Sequence, residues 1–242
     1  MRIDVVFRYV GIVLLFIAAF MLLSAGISCV SGMDSSFYPL TILLGAFPLI
    51  FVGKRDQISN KEGFCIVVGA WLVACVVGMF PYLIWGGEFS LVNAWFESVS
   101  GFTTTGASVL TDVEALPRGL QFWRFSTTWI GGMGVLVFLM AVLPLTGGSS
   151  SFSLMQAESP GPSVSKLVPH LKETARHLYG LYLGLTIIEF LLLVVGRMPV
   201  FDALCSTFCT ASTGGFGIWN TSIGGYSTYL QVVITIFMIL FG

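Results

Sequence analysis

Charge is what this sequence has least of. Asp, Glu, Lys and Arg together make up 10% of its 242 residues, there are two histidines, and the net charge is -1 with a pI near 6.1. A nucleic-acid-binding protein needs a concentrated basic face, and this balance excludes one. Catalytic patterns are missing as well: no nucleophile, base and orienting group are gathered anywhere, and there is no P-loop or dinucleotide fingerprint, so the chain is not read as an enzyme. The five cysteines, at 29, 65, 75, 205 and 209, lie mostly in apolar stretches with no metal-type spacing beside histidines, and read as buried small hydrophobes. His170 and His177 read as two polar residues on one face of an amphipathic segment.

Hydrophobic residues are abundant, at 56%, with a mean hydropathy of +0.93. That composition excludes an ordinary soluble domain and predicts an all-α polytopic membrane protein. Apolar spans are expected at about 5–30, 37–53, 64–85, 120–143 and 178–196, with Pro39 and Pro48 able to kink the second. The first is too long, and lacks a suitable small-residue cleavage site, for a signal peptide, so it reads as a retained helix. A final apolar run from Tyr229 to the end is about 21 Å long as a helix against a hydrocarbon core of roughly 30 Å, so the chain is expected to stop inside a span. Residues 146–176 are polar and rich in Gly, Ser and Pro, and read as a surface connection.

Orientation follows from the positive charges. With the amino terminus in the cytoplasm, Arg2, Arg8, Lys54, Arg55, Lys61, Lys166, Lys172 and Arg176 are cytoplasmic, eight of the eleven lysines and arginines, and only Arg118, Arg124 and Arg197 are not.

Within this apolar chain one polar stretch needs a reason. Leu91 to Gly101 is long enough to make a helix of roughly 16 Å, half the depth of a bilayer core, so it can descend but not cross. Thr103, Thr104, Thr105 and Gly106 follow, and the chain must then return. Irregular backbone survives at that depth only where protein or a water-filled cavity surrounds it, and such a loop can present carbonyl oxygens that replace the water around a dehydrated cation. The pattern recurs: LVNAWFESVSGFTTTGAS, from Leu91 to Ser108, aligns without gaps onto VFDALCSTFCTASTGGFG, from Val200 to Gly217. Asn93 then falls on Asp202, Thr104 on Thr213 and Gly106 on Gly215, which suggests one architectural unit used twice. In the assigned orientation both half-helices come in from outside, and their negative dipole ends point toward the membrane centre.

Two carboxylates stand at membrane depth, where a partner is the rule. Glu97 is placed either to hold the loop by accepting hydrogen bonds or to add a favourable charge near the pore, and Glu189 either to pair with Arg197 or to meet a helix outside this chain. The three glycines of WIGGMG, Trp129 to Gly134, favour close helix packing over a hinge.

ESVSGFTTTGAS, then FWRFSTTWIGGMG, then FDAL and STGGFG together resemble the TrkH/KtrB potassium-transport subunits, in the superfamily built like four joined channel subunits. The resemblance covers essentially the whole chain, but family members have four repeats and this sequence has two, the second incomplete. It implies two extra amino-terminal helices at 1–61, a first span, pore-helix, filter and span repeat at 62–146, a cytoplasmic connection at 147–170 and a second repeat at 171–242, truncated in its last span. It carries the family's potassium filter onto Thr103, Thr104, Thr105 and Gly106 and onto Ser212, Thr213, Gly214 and Gly215, with the carbonyls of Thr104, Thr105, Thr213 and Gly214 as the foremost K+ ligands. Further implied are potassium (K+) as the transported ion with no organic cofactor, uptake across a bacterial inner membrane driven by the membrane potential or by coupled ions, a homodimer when complete, and a cytoplasmic nucleotide-binding, TrkA-like regulatory partner. The competing reading is a partial membrane fragment that assembles with other subunits without transporting.

The charge split makes a topological prediction. Single cysteines placed near Ser59 and Ser165 should be labelled only from the cytoplasm and one near Asp112 only from outside; outside labelling at Ser165 would overturn the orientation.

Overall fold

A computed structural model describes residues 3–31, 60–134 and 171–242. All regular structure among the described residues is helical, as expected. In chain order the helices are α1 (Ile3–Val30), α2 (Asn60–Gly78), α3 (Phe80–Trp85), α4 (Leu91–Phe102), α5 (Arg118–Gly132), α6 (Leu171–Val195), α7 (Val200–Ala211) and α8 (Thr228–Phe241). By length and composition Val5–Val30, Glu62–Trp85 and His177–Val195 can each cross a membrane, whereas Val200–Ala211 and Thr228–Phe241 are shorter apolar helices. The expected second span and the polar connection lie outside the described residues.

The boundaries of α4 and α7 coincide in the gap-free alignment, since Leu91 aligns with Val200 and Phe102 with Ala211. The span expected over 64–85 is not continuous: it breaks at Met79, two residues before Pro81, whose missing N–H and bulky ring interrupt a helical ladder. The span expected from Leu120 to Leu143 is helical to Gly132, turns at Met133 and passes through a left-handed Gly134 (φ 63°), beyond which it leaves the described residues.

Helix α5 is the hub, packing against α1, α4 and α7. Its sequence, RGLQFWRFSTTWIGG, is polar for a membrane-type helix, yet every residue from Gly119 to Ile130 is buried. The hydroxyls cause no deficit, because Ser126, Thr127 and Thr128 donate at 2.7 Å to the carbonyls of Phe122, Arg124 and Phe125 in their own helix. Where hydrocarbon surrounds a bundle, apolar burial no longer drives helices together, and close approach and internal hydrogen bonds do so instead. Trp123 Nε1 donates to the Gly78 carbonyl at 3.0 Å, tying α5 to the break after α2, and Ser98 Oγ of α4 donates to the Cys75 carbonyl at 2.8 Å. Lipid-type side chains such as Leu15, Leu22, Leu72, Ile187, Leu191 and Ile239 face outward.

Two of the three WIGGMG glycines serve close packing, and Gly134 supplies the left-handed turn past the end of α5. A Cβ on Gly131 would run into the Phe102 carbonyl at the end of α4, and one on Gly132 would come within 2.6 Å of Ser212 Cβ at the end of α7. One end of α5 therefore touches the carboxy-terminal ends of both half-helices. Cys75, Cys205 and Cys209 are buried as expected, but Cys29 and Cys65 are exposed on the outer sides of α1 and α2. His177 is exposed on α6, and His170 lies outside the described residues.

Gly131→Ala should lower the thermal midpoint of the purified protein, with a loss of about 1–3 kcal/mol typical of overpacking. Gly180→Ala, at a position with nothing within 4 Å, should leave the midpoint level or raise it. Equal behaviour of the two variants in a detergent melting assay would refute the close contact.

Candidate functional site

The two threonine- and glycine-containing loops begin where α4 and α7 end, and they end in the same way. In the first, Thr103 N–H donates to the Val99 carbonyl at 2.9 Å, Thr104 to Gly101 at 2.9 Å and Thr105 to Ser100 at 2.9 Å. In the second, Ser212 donates to Phe208 at 3.3 Å, Thr213 to Thr210 at 2.9 Å and Gly214 to Cys209 at 2.9 Å. These are aligned donors on aligned acceptors, and the pattern is a Schellman cap in both copies. The left-handed residue of that cap is usually glycine; here it is Thr104 (φ 54°) and Thr213 (φ 51°). A β-branched residue in that region is disfavoured, and such strain concentrates where a backbone is held for a purpose. Gly106 (φ 68°) and Gly215 (φ 84°) repeat the left-handed turn two residues later, where the absence of a Cβ makes it easy.

This cap satisfies the helix-end carbonyls and leaves those of the loop outside the hydrogen-bond network. Among the described residues no hydrogen bond ends on the carbonyls of Thr103, Thr104, Thr105, Gly106, Thr213, Gly214 or Gly215, whereas the Ser212 carbonyl accepts from Thr213 Oγ1 at 2.7 Å. The hydroxyls are tied locally: Thr103 Oγ1 donates to the Val99 carbonyl at 2.7 Å and lies 2.9 Å from Thr105 Oγ1. Ser212 Oγ donates to the Phe208 carbonyl at 2.9 Å. The loops are neighbours, since a Cβ at Gly106 would collide with the Gly214 carbonyl. All eight expected site residues thus fall in one facing pair of turns, set against the negative dipole ends of two helices.

The first loop is propped from behind by a buried ion pair. Glu97, fully buried, accepts from Arg124 Nε at 2.6 Å, from Ser108 Oγ at 3.0 and 3.2 Å and from Val109 N–H at 3.2 Å. It therefore holds the return strand of the loop, the first of the two roles expected of it. Ser100 Oγ adds a bond to the Ala107 carbonyl at 2.6 Å. Arg124 also reaches the other repeat, donating through Nη1 to the Gly217 carbonyl at 3.2 Å with its guanidinium 3.8 Å from the Phe216 ring centroid. Sequence reasoning placed Arg124 on the outer side without giving it this partner; an arginine inside FWRFS, in a chain with two carboxylates at membrane depth, was the available signal.

The second loop is propped differently. In the alignment Glu97 falls on Ser206, so the second repeat has no carboxylate at this place, and a cavity of about 180 Å³ lies beside it, lined by Ser206, Thr210, Phe216, Trp219 and Tyr226 among others. Support comes instead from the amino-terminal end of α7, where Trp219 Nε1 donates to Tyr226 Oη and Tyr226 Oη donates to Asp202, both at 2.8 Å. Glu189 is buried, and among the described residues neither of its oxygens has a hydrogen-bond partner. The expected pairing with Arg197 is not made, because Arg197 lies past the end of α6 in a left-handed turn (φ 66°) while Glu189 sits about two turns inside the helix.

Comparison with known proteins now bears on this geometry. Residues 35–242 match the family model TrkH, described as cation transport protein. The Trk system potassium uptake protein TrkH of Salmonella typhimurium is 37% identical over 192 residues, covering 78% of this chain and 40% of that one. The TrkH of Vibrio parahaemolyticus is 33% identical over 246 residues, covering 97% of this chain and 50% of its own. The crystal structure of the potassium transporter TrkH from Vibrio parahaemolyticus superposes with a TM-score of 0.79 at 29% identity, over 99% of this chain and 50% of that one. The chain spans about half the length of the relatives it matches. With the family model covering most of its residues and the fold agreeing along almost its whole length, this chain belongs to the TrkH family of cation transport proteins, multi-pass in the membrane.

Proposed function

We propose that this chain supplies half of a potassium-selective path for uptake across a bacterial inner membrane, with its amino terminus in the cytoplasm. Behind two amino-terminal helices at 1–61, residues 62–146 form a span, half-helix, filter and span repeat, and residues 171–242, joined to it by a cytoplasmic connection at 147–170, repeat the span, half-helix and filter and go on into the shorter apolar helix α8. The ion meets the main-chain carbonyls of Thr103 to Gly106 and Ser212 to Gly215, with Thr104, Thr105, Thr213 and Gly214 the foremost ligands. One observation carries this reading: aligned turns in the two repeats share one hydrogen-bond frame that leaves consecutive carbonyls unengaged among the described residues. Carbonyl rings of that kind replace a dehydrated potassium ion's water, and the helix ends behind them add negative potential. Potassium is cargo here and no organic cofactor is required. The relatives are named as parts of a Trk system, which is consistent with partner subunits; the partner in this reading is a cytoplasmic nucleotide-binding, TrkA-like regulatory subunit, and the complete assembly is a homodimer.

A second reading, a chain that assembles with other subunits but does not transport by itself, is favoured by an asymmetry between the two glycines. Gly106 is faced by the Gly214 carbonyl, whereas no described residue stands within 4 Å of a Cβ built on Gly215. Expressed by itself in a strain lacking potassium uptake, the chain should not restore growth at low potassium; growth restored by it alone would remove this reading.

The filter is tested in a transporter completed with the carboxy-terminal half of the Vibrio relative. Gly106→Ala, whose Cβ would displace the Gly214 carbonyl, should weaken apparent potassium affinity roughly tenfold, equivalent to about 1.4 kcal/mol, and raise competition by sodium in rubidium uptake. Thr105→Ser keeps the carbonyl and should be mild. Unchanged affinity and ion preference for Gly106→Ala, at normal protein levels, would show that this loop is not the filter.

A further inference from the structure

The two return strands are stitched together at the outer mouth by one residue that the filter does not use. Asn220, five residues beyond Gly215, engages the segment six to eight residues beyond Gly106 through three of its polar groups. Its Nδ2 donates to Asp112 Oδ1 at 2.8 Å, its Oδ1 accepts from Val113 N–H at 3.1 Å, and its own N–H donates to Glu114 Oε1 at 3.0 Å. Asp112 Oδ1 also accepts from Glu114 N–H at 3.0 Å, so the receiving segment is itself a closed turn. The Asn220 amide, followed by the Glu114 N–H, holds the Asp112 carboxyl below its usual range, consistent with a stable carboxylate acceptor.

What the register shows is that this clip is not a copied feature. Continued three residues past Ser108 and Gly217, the same register sets Asn220 on Thr111, and Thr111 ties inward to its own repeat, donating through its N–H and its hydroxyl to Glu88 just before α4. The same place on the return strand is thus anchored within the unit in the first repeat and across units in the second. The clip adds to the Gly106–Gly214 approach at the loops, the Arg124–Gly217 bond behind them and the Phe125–Phe216 ring contact, and it lies farther along the return strands than these. It is the tie that holds the far ends of the two return strands to each other directly.

We infer that Asn220 is a specificity-determining positioning residue: its clip on Asp112 and Val113 sets the spacing of the two loops and, through it, the preference for potassium over sodium. This rests on the filter reading above. Filter selectivity depends on carbonyl positions held to fractions of an ångström or on their local field, and either is altered when one wall drifts from its neighbour.

In the completed transporter, Asn220→Ala should lower the potassium-over-sodium preference about threefold to tenfold, the scale of one or two lost hydrogen bonds, with protein abundance and maximal rubidium uptake nearly retained. Asn220→Asp, which sets a third carboxylate against Asp112 and Glu114, should be at least as severe. Asp112→Asn, which keeps an acceptor for the amide, should be close to unaltered, while Asp112→Ala should resemble Asn220→Ala and the double variant should be no worse than the worse single. A preference unchanged in Asn220→Ala while Gly106→Ala alters it would overturn the clip and leave the filter standing. If neither variant alters it, the filter reading fails and this one with it. Reduced abundance at unchanged preference, or fully additive Asp112 and Asn220 effects, would reduce Asn220 to a structural residue and also overturn the inference.

Discussion

The structure around the two loops depends on the ion pair between Glu97 and Arg124. Both groups are essentially out of reach of solvent, and either alone would be a buried, uncompensated charge, a situation that destabilises a fold by several kcal/mol. Because each supplies the other's partner, both have capacity left over for the backbone. Glu97 spends its on the strand returning from the first loop, and Arg124 on the carbonyl of Gly217 in the second. A pair of this kind orients polar backbone at a depth where water cannot. It also explains why α5 tolerates so polar a sequence: the helix must carry Arg124 to the seam, and the surrounding helices α1, α4 and α7 bury it on every side.

Around this pair the packing is arranged by small residues more than by large ones. Gly131 and Gly132 let α5 close on the ends of α4 and α7, and this brings the two caps side by side. Phe122, Phe125, Cys205, Cys209, Phe216 and Ile218 then fill the space between α5, α7 and the second return strand. The cysteines act there as the small hydrophobes that their apolar setting indicates.

Much of this was legible in the sequence. The half-helices, expected over 91–101 and 200–209, start where expected and run one and two residues further, to Phe102 and Ala211, because a short apolar run, a small polar loop and a return occur twice, and the gap-free alignment already paired Thr104 with Thr213 and Gly106 with Gly215. The role of Glu97 was readable because a carboxylate inside an apolar helix has few options. Arg124 was harder, since counting its charge for orientation gives no hint of which carboxylate lies near it across 27 residues of chain. The pairing of Glu189 with Arg197 failed on simple helical rise, which puts eight residues about 12 Å apart. The break at Met79 was signalled by Pro81 in GMFPYL but is easily lost inside an otherwise continuous apolar run.

The shared Schellman frame has a consequence for how such a chain can change over generations. What the two repeats hold in common is a set of main-chain bonds and two left-handed turns, none of which prescribes the side chains that brace them from behind. The first copy is braced by a charged pair, the second by a tyrosine, a tryptophan and an aspartate with a void at its back. Drift can therefore erase the kinship of the copies letter by letter while their curvature is conserved. The copies are also no longer interchangeable cassettes: the first turn grafted into the second site would arrive without its brace, correct in outline and unsupported.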